Sequence, residues 1–268
     1  GQWHRSLKHQ GGRGLLTATR PHVATAPPAG PWKRRQVRVL GWLAGFWLVS
    51  DLSYYFGLPA LKIGTSYSGS PMPVATLYLF WSGLAAIVFW PLYSRWNADG
   101  PLPTSRNRFL AGLIWTTTFA AILAFLHWVL PALPEASWPA DIGEPPDLLL
   151  AVPAYFFPKT AEILFQQLLV LAMIVSLSLD GLPLRTITRF SALLFGGMHI
   201  LLVFSGLPLR AVLMFIVAST LFGAILPRLI LRTRFGLAAA FALHWTFYAA
   251  VLTQARIFGP HFTQSVVG

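Results

Sequence analysis

The chain contains no cysteine and few charged side chains. None of its 268 residues is Cys, which excludes disulfides, thiolate metal sites and a cysteine nucleophile. Charged residues make up 10 % of the sequence, against roughly 25 % in a typical soluble domain. Hydrophobic residues reach 55 %, which is more apolar surface than one globular core can bury. We therefore expect an all-α, polytopic membrane protein built as a helical bundle.

Acidic residues are especially scarce. Eight Asp and Glu stand against 20 Lys and Arg, for a net charge of +12. Eight of the 20 basic residues lie in residues 1–38, and most of the others flank apolar segments. This distribution is typical of membrane topology and not of a DNA-binding face, so we expect no nucleic-acid partner.

Residues 1–38 form an acid-free arm that is rich in Arg, Ala, Thr and Pro. The composition fits an organellar targeting segment, and it also fits a cytoplasmic tail that binds anionic lipid or a partner chain. The missing initial methionine favours processing or an incomplete start. For the whole protein we favour a bacterial inner membrane over an organellar membrane.

Seven apolar stretches have the length of about 20 residues that a bilayer requires. Loops rich and poor in Lys and Arg alternate as the positive-inside rule demands for a cytoplasmic N-terminus and an external C-terminus. The loop that follows the third stretch agrees, since it holds four acids and no base. The predicted spans are residues 39–57, 73–93, 109–130, 158–179, 187–205, 210–230 and 235–254.

The order of these stretches predicts four regions. Residues 147–158 are apolar but contain two prolines, and we expect a short interfacial or re-entrant piece that turns into the fourth span at Pro158. The predicted regions are a basic arm (1–38), three accessory spans (39–144), a four-helix core (145–255) and a short C-terminal tail (256–268).

Three ionisable side chains, Glu162, His199 and His244, fall inside apolar segments of the predicted core. Ionisable groups are costly within a membrane and usually functional there. At about 1.5 Å per residue, both histidines lie roughly 12–16 Å below the outer surface, level with Gln166. We expect these polar groups to meet in one layer of the bundle.

The segments around these residues resemble the three motifs of the CAAX-protease and bacteriocin-processing (CPBP) family of glutamic intramembrane proteases. The family pattern is Glu-Glu-x-x-x-Arg, then Phe-x-x-x-His, then His-x-x-x-Asn or Asp, in that order on separate helices. The resemblance covers roughly residues 145–255. The matching stretches are Ala161-Glu162-Ile-Leu-Phe-Gln166, Phe195-Gly-Gly-Met-His199 and His244-Trp-Thr-Phe-Tyr248.

The resemblance implies a water activated by the first Glu and by the second-motif His, and an oxyanion stabilised by the third-motif His and Asn. Here Ala161 stands at the first Glu, Gln166 at the Arg and Tyr248 at the Asn. Glu162 cannot simply replace the missing acid, because adjacent helix positions point about 100° apart. The resemblance therefore implies a remnant catalytic site. It would comprise Glu162, His199 and His244, with Lys159, Gln166, Phe195 and Tyr248 lining it.

Two functions follow as hypotheses. We expect a non-catalytic structural or accessory subunit of a membrane complex, whose bundle binds other integral membrane proteins, lipids or pigments. The alternative is an active glutamic-type intramembrane endopeptidase that uses Glu162 and His199 to activate water. In a purely structural interpretation, Glu162 pairs with Lys159 one turn earlier. The sequence requires no cofactor, and two imidazoles with one displaced carboxylate make a poor zinc site, so we expect no metal.

Overall fold

The computed structural model describes residues 34–99, 105–135, 148, 150–205, 209–233 and 235–267. All regular structure among these residues is helical, which confirms the predicted all-α class for the part of the chain that they cover. Short π-helical and 3-10 segments extend several of the helices. The helices are α1 (Arg34–Leu52), α2 (Leu58–Ala60), α3 (Pro71–Val88), α4 (Trp90–Asp99), α5 (Ser105–Ala124), α6 (Phe156–Leu179), α7 (Leu184–Met198), α8 (Leu209–Arg232) and α9 (Gly236–Val267).

Five helical segments are long and apolar enough to cross a bilayer, which is the architecture of a multi-pass integral membrane protein. The first and fifth predicted spans are also helical, as α1 and α7, but neither meets the same criterion. Charged side chains at both ends of α1 lower its hydropathy, and α7 has only 15 residues. The count of seven spans is therefore not confirmed, and the orientation of the termini stays a prediction. The five segments are Pro71–Val88, Phe109–Ala132, Pro153–Leu179, Val212–Arg232 and Gly236–Ile257.

Two predicted features fall mostly outside the described residues. One is the basic arm, of which only residues 34–38 are described, and the other is the acidic loop, of which residues 136–147 are not. The proposed binding of anionic lipid or a partner chain by the arm therefore stays a prediction.

Helix α6 forms the centre of the bundle. Its apolar segment is 67 % buried within the chain, more than any of the other four. Helix α3, from the predicted accessory part, packs along α6, and α9 packs against it as well. One apolar cluster joins α6 to α1, α3, α4 and α8, and a second joins the start of α6 to α9 through Phe156, Phe241 and Trp245. Side chains of α6 thus face several neighbouring helices at once.

Helix α6 begins earlier than the sequence predicted. A 3-10 turn at Pro153–Tyr155 leads directly into the helix at Phe156, two residues before Pro158. Pro158 is tolerated there because the first turn of a helix has no intrahelical partners for its N–H groups. Glu162 consequently lies nearly two turns inside α6 instead of one.

The sequence Asp180-Gly181-Leu182-Pro183 ends α6 and starts α7. Gly181 has a φ of 84°, in the left-handed region that favours glycine. Its N–H donates to the Ser178 carbonyl at 3.0 Å, and the Leu182 N–H donates to the Leu177 carbonyl at 3.2 Å. These two bonds define a Schellman motif, which satisfies the last carbonyls of α6. The chain then reverses, and α7 begins at Leu184.

Helix α7 packs mainly against α8, and the two backbones approach closely at Gly223. A Cβ added to this glycine would lie 2.6 Å from the Ser191 carbonyl oxygen and 3.0 Å from the Ala192 Cα. Glycine is therefore required for this helix spacing. Helix α9 follows α8 and runs to Val267, past the predicted end of the seventh span at residue 254 and through most of the predicted tail.

Candidate functional site

Glu162 lies in a polar network inside the bundle. Its Oε2 accepts hydrogen bonds from Lys159 Nζ and from the Tyr67 hydroxyl, each at 2.8 Å. Its Oε1 accepts a hydrogen bond from Gln166 Nε2, also at 2.8 Å. The contact with Lys159 is an ion pair, so the predicted pairing of these two residues is confirmed. Three donors thus satisfy both carboxylate oxygens, as a buried charge requires.

The spacing of Lys159, Glu162 and Gln166 explains why three of these groups meet. The residues occupy positions i−3, i and i+4 on α6, which share one face of a helix. One face therefore supplies the carboxylate, its counter-ion and an amide donor. The sequence predicted the pairing of Lys159 with Glu162, but not the bond from Gln166 to Glu162.

Tyr67 was not among the predicted site residues. It belongs to the loop between α2 and α3, and its hydroxyl oxygen also lies 3.2 Å from the hydroxyl oxygen of Tyr78 on α3. Burial, reinforced by the neighbouring Glu162 carboxylate, raises the pKa of Tyr67 well above its ordinary value, so the phenol stays a neutral donor. Tyr67 lies in a loop, where no periodic sequence pattern marks a site residue. It is 95 residues from Glu162 in the sequence, so only the folded structure shows that the two side chains meet.

Aromatic rings surround the Lys159 ammonium. The side chain is buried, and its Nζ lies 4.2 Å from the centroid of the Tyr248 ring and 5.6 Å from that of the Tyr67 ring. Both distances are within the range of a cation–π attraction. Tyr248 stands where the family pattern has Asn, and here its ring contacts the counter-ion of Glu162.

His244 contacts Gln167, which was not among the predicted site residues, although the depth estimate placed Gln166 level with it. Gln167 Nε2 donates to His244 Nδ1 at 2.9 Å, which places the ring proton on Nε2. Both residues are buried, Gln167 completely. Because adjacent helix positions diverge by about 100°, Gln166 faces Glu162 while Gln167 faces α9. Two adjacent glutamines in an apolar helix were a signal visible in the sequence, but only Gln166 was among the predicted site residues.

The His244 ring is enclosed by aromatic side chains. The ring centroid of Phe222 lies 4.9 Å away, and that of Tyr248 lies 5.5 Å away at an interplanar angle of 23°. Tyr248 therefore joins the His244 layer to the Lys159–Glu162 pair. Polar groups from α6 and α9 do meet in this part of the bundle.

His199 occupies a different environment. It begins the 3-10 segment His199–Ser205 after α7, and its Nδ1–H donates to the Phe195 carbonyl at 2.7 Å. Its ring is parallel to that of Phe215, with centroids 6.3 Å apart. Phe195 packs edge-on against Phe222. No hydrogen bond within the described part of the chain joins His199 to Glu162 or to His244.

Ala161 stands where the family pattern has its first Glu. Its side chain is 5 % exposed and belongs to the larger apolar cluster. A general base must reach a proton of the water that it activates. At position 161 a methyl group cannot do so, and at position 162 both carboxylate oxygens already accept hydrogen bonds.

A catalytic zinc site takes three protein ligands. Among the residues that the structure covers, no three His, Asp or Glu side chains lie close enough together to hold a metal ion.

Comparison of the chain with protein-family models, curated proteins and solved structures found no match. The resemblance to the CPBP family therefore depends on the motif residues in the sequence.

Proposed function

We propose that this chain is a non-catalytic, CPBP-like membrane protein that serves as a structural or accessory subunit of a larger membrane complex. The observation that supports this best is the saturation of Glu162 by Lys159, Tyr67 and Gln166. Both oxygens of this carboxylate already accept hydrogen bonds, so neither is placed to take a proton from a water. The network is suited to holding helices together.

The substituted positions support the same proposal. Ala161 packs its methyl group into the core, and Tyr248 places its ring over Lys159 and beside His244. In a protease of this family these positions would supply the base and an oxyanion donor. Here both contribute contacts between helices.

One observation favours the alternative function, an active intramembrane endopeptidase. The Nδ1–H of His199 is oriented by the Phe195 carbonyl, which leaves Nε2 as an acceptor on a partly exposed ring. A catalytic role would also require Glu162 to share a water with this ring. The three donors on Glu162 argue against that arrangement.

Helix α5 and the π-helical and 3-10 turns that extend it offer a surface for other membrane proteins. The apolar segment Phe109–Ala132 that they form is only 6 % buried against the rest of the chain. Large apolar side chains such as Leu123 and Trp128 are more than 60 % exposed on it. Helices that associate within a membrane do so through van der Waals packing of such faces. An accessory subunit would use α5 in this way.

The proposal is tested by purification from native membranes in a mild detergent. The chain should co-purify with other membrane proteins at fixed stoichiometry, and the double variant Leu123→Ala/Trp128→Ala should lose them. The matched control is Ile87→Ala/Trp90→Ala, which truncates equally exposed side chains on α3 and α4. Equal loss in both variants would point to general lipid effects and contradict a role for α5.

Proteolysis is tested separately with purified protein and prenylated or transmembrane peptides. We expect no cleavage by the wild type or by Glu162→Ala. Cleavage that disappears both in Glu162→Ala and in His199→Ala, with folding intact, would overturn the proposal in favour of the endopeptidase.

A further inference from the structure

Four arginines line one cavity where α7 begins and α8 ends. The cavity has a volume of about 540 Å³. It lies at the turn that follows α6, well separated in sequence from the Glu162 motif. Its lining residues are Pro183, Leu184, Arg185, Thr188, Arg189, Arg228 and Arg232.

The arginines form two like-charged pairs. Arg185 and Arg189 are four residues apart on α7, and Arg228 and Arg232 are four residues apart on α8. Like charges at this spacing repel on a helix. The cavity thus concentrates the positive charge of four side chains.

The start of α7 adds further donors to the cavity. Pro183 precedes the helix without a side-chain cap, and the first bonded N–H groups are those of Thr186 and Ile187. The N–H groups of Leu184 and Arg185 come before them, at the positive end of the helix dipole. Anions bind at such helix ends. The nearby end of α8 contributes a partial charge of only about −0.5, which four arginines exceed.

Thr188 also lines the cavity, one turn from Leu184 and between the two arginines of α7.

The cavity also lies at the edge of the membrane. The apolar segment of α8 ends at Arg232, so the arginines border the headgroup region. The positive-inside rule explains basic residues at the end of a span, but not the convergence of four of them on one cavity. Arginine forks match the oxygens of a phosphate in a bidentate manner.

We propose that this cavity binds the phosphate group of an anionic phospholipid from the leaflet next to the α6–α7 turn. The acyl chains would lie along the apolar surface of the bundle, and the arginines and the start of α7 would hold the headgroup. This inference is independent of the function proposed for the Glu162 network.

The test uses the full chain, delipidated in detergent and titrated with short-chain phosphatidylglycerol, with bound lipid counted by native mass spectrometry. Phosphatidylcholine and inorganic phosphate are the other two probes. We expect phosphatidylglycerol to bind best. Arg185→Gln/Arg189→Gln and Arg228→Gln/Arg232→Gln should each weaken it by about tenfold or more, because each basic side chain contributes substantially to binding an anionic lipid.

The matched control is Arg38→Gln/Arg95→Gln, which removes two exposed arginines outside the cavity and should change the affinity less than about twofold. Arg189→Lys/Arg228→Lys keeps the charge but loses the bidentate geometry, and weaker binding by this folded variant would support the site. Equal weakening by the control would overturn it. If inorganic phosphate displaces the bound lipid and phosphatidylglycerol binds no better than phosphatidylcholine, the cavity binds a soluble anion and the proposed lipid is wrong.

Discussion

Lys159 and Glu162 form an ion pair one turn apart on α6, with 2.8 Å between Nζ and Oε2 and both side chains largely buried. Tyr67 and Gln166 complete the hydrogen bonds of the carboxylate, and Tyr248 covers the ammonium. The pair places no net charge in the bundle. Its members come from one helix, but the groups that enclose it come from the α2–α3 loop and from α9.

Replacing one member of this pair should destabilise the protein strongly. Glu162→Gln leaves the Lys159 ammonium buried and unpaired, and the free energy of unfolding should fall by about 3 kcal/mol. Thermal unfolding of the purified protein in detergent measures the change. The double variant Lys159→Met/Glu162→Leu should be more stable than Glu162→Gln, because it leaves no unpaired charge. If the single variant is as stable as the wild type, the pair is not buried as described.

The hydrogen bond from Tyr67 to Glu162 should give stability a dependence on alkaline pH. Because burial and Glu162 raise the pKa of Tyr67, its contribution is complete below about pH 10, where the unfolded phenol is protonated. Above that pH only the unfolded phenol ionises, so the contribution is lost as the pH rises. The free energy of unfolding of the wild type should therefore fall more steeply above pH 10 than that of Tyr67→Phe, when both are measured as a function of pH.

At neutral pH, Tyr67→Phe should itself cost about 1.5–3 kcal/mol, since the lost hydrogen bond has a charged acceptor. The control is Tyr55→Phe, because that side chain is 65 % exposed. Parallel pH profiles for the wild type and Tyr67→Phe would refute a buried donor at this position.

The close approach of α7 and α8 predicts an asymmetry between two glycines. Gly223→Ala places a methyl group against the backbone at Ser191 and Ala192, and should destabilise the protein by about 1–3 kcal/mol. Gly83→Ala on α3 meets nothing within 4 Å and should be neutral or stabilising by up to about 1 kcal/mol. The two variants are compared by thermal unfolding. Equal effects would mean that the helices are not in contact at Gly223.

Gln167 and Gln166 should differ in their effect on His244. Gln167→Leu removes the donor to Nδ1, and the unsatisfied imidazole should cost about 1–3 kcal/mol and shift the tautomer away from Nε2–H. Gln166→Leu should leave the tautomer unchanged, because its amide bonds to Glu162. The ¹⁵N chemical shifts of the His244 ring report the tautomer. A shift in the Gln166 variant alone would reverse the assignment of the two amides.

The pairing of Lys159 with Glu162 was predictable because both residues lie on one helix, where a separation of three residues fixes the geometry. The start of α6 was misplaced by two residues, since proline is tolerated throughout the first helical turn and does not mark its first position. The depth estimate placed Gln166 level with His244 but did not identify Gln167 as its partner, because depth along a helix does not specify which face points toward a neighbour. Adjacent residues differ by about 100° around the helix axis, and only the packed structure shows which of them faces the neighbouring helix.

The sequence by itself determined that this protein is helical and built for a membrane, because composition and the length of apolar stretches depend on each segment alone. It also determined which polar residues share a face of α6. Only the tertiary structure decided what encloses them. Tyr67 reaches Glu162 from 95 residues away, and four arginines from two helices meet at one cavity. Such contacts depend on how helices pack, and helix packing is a property of several faces together and of no single segment.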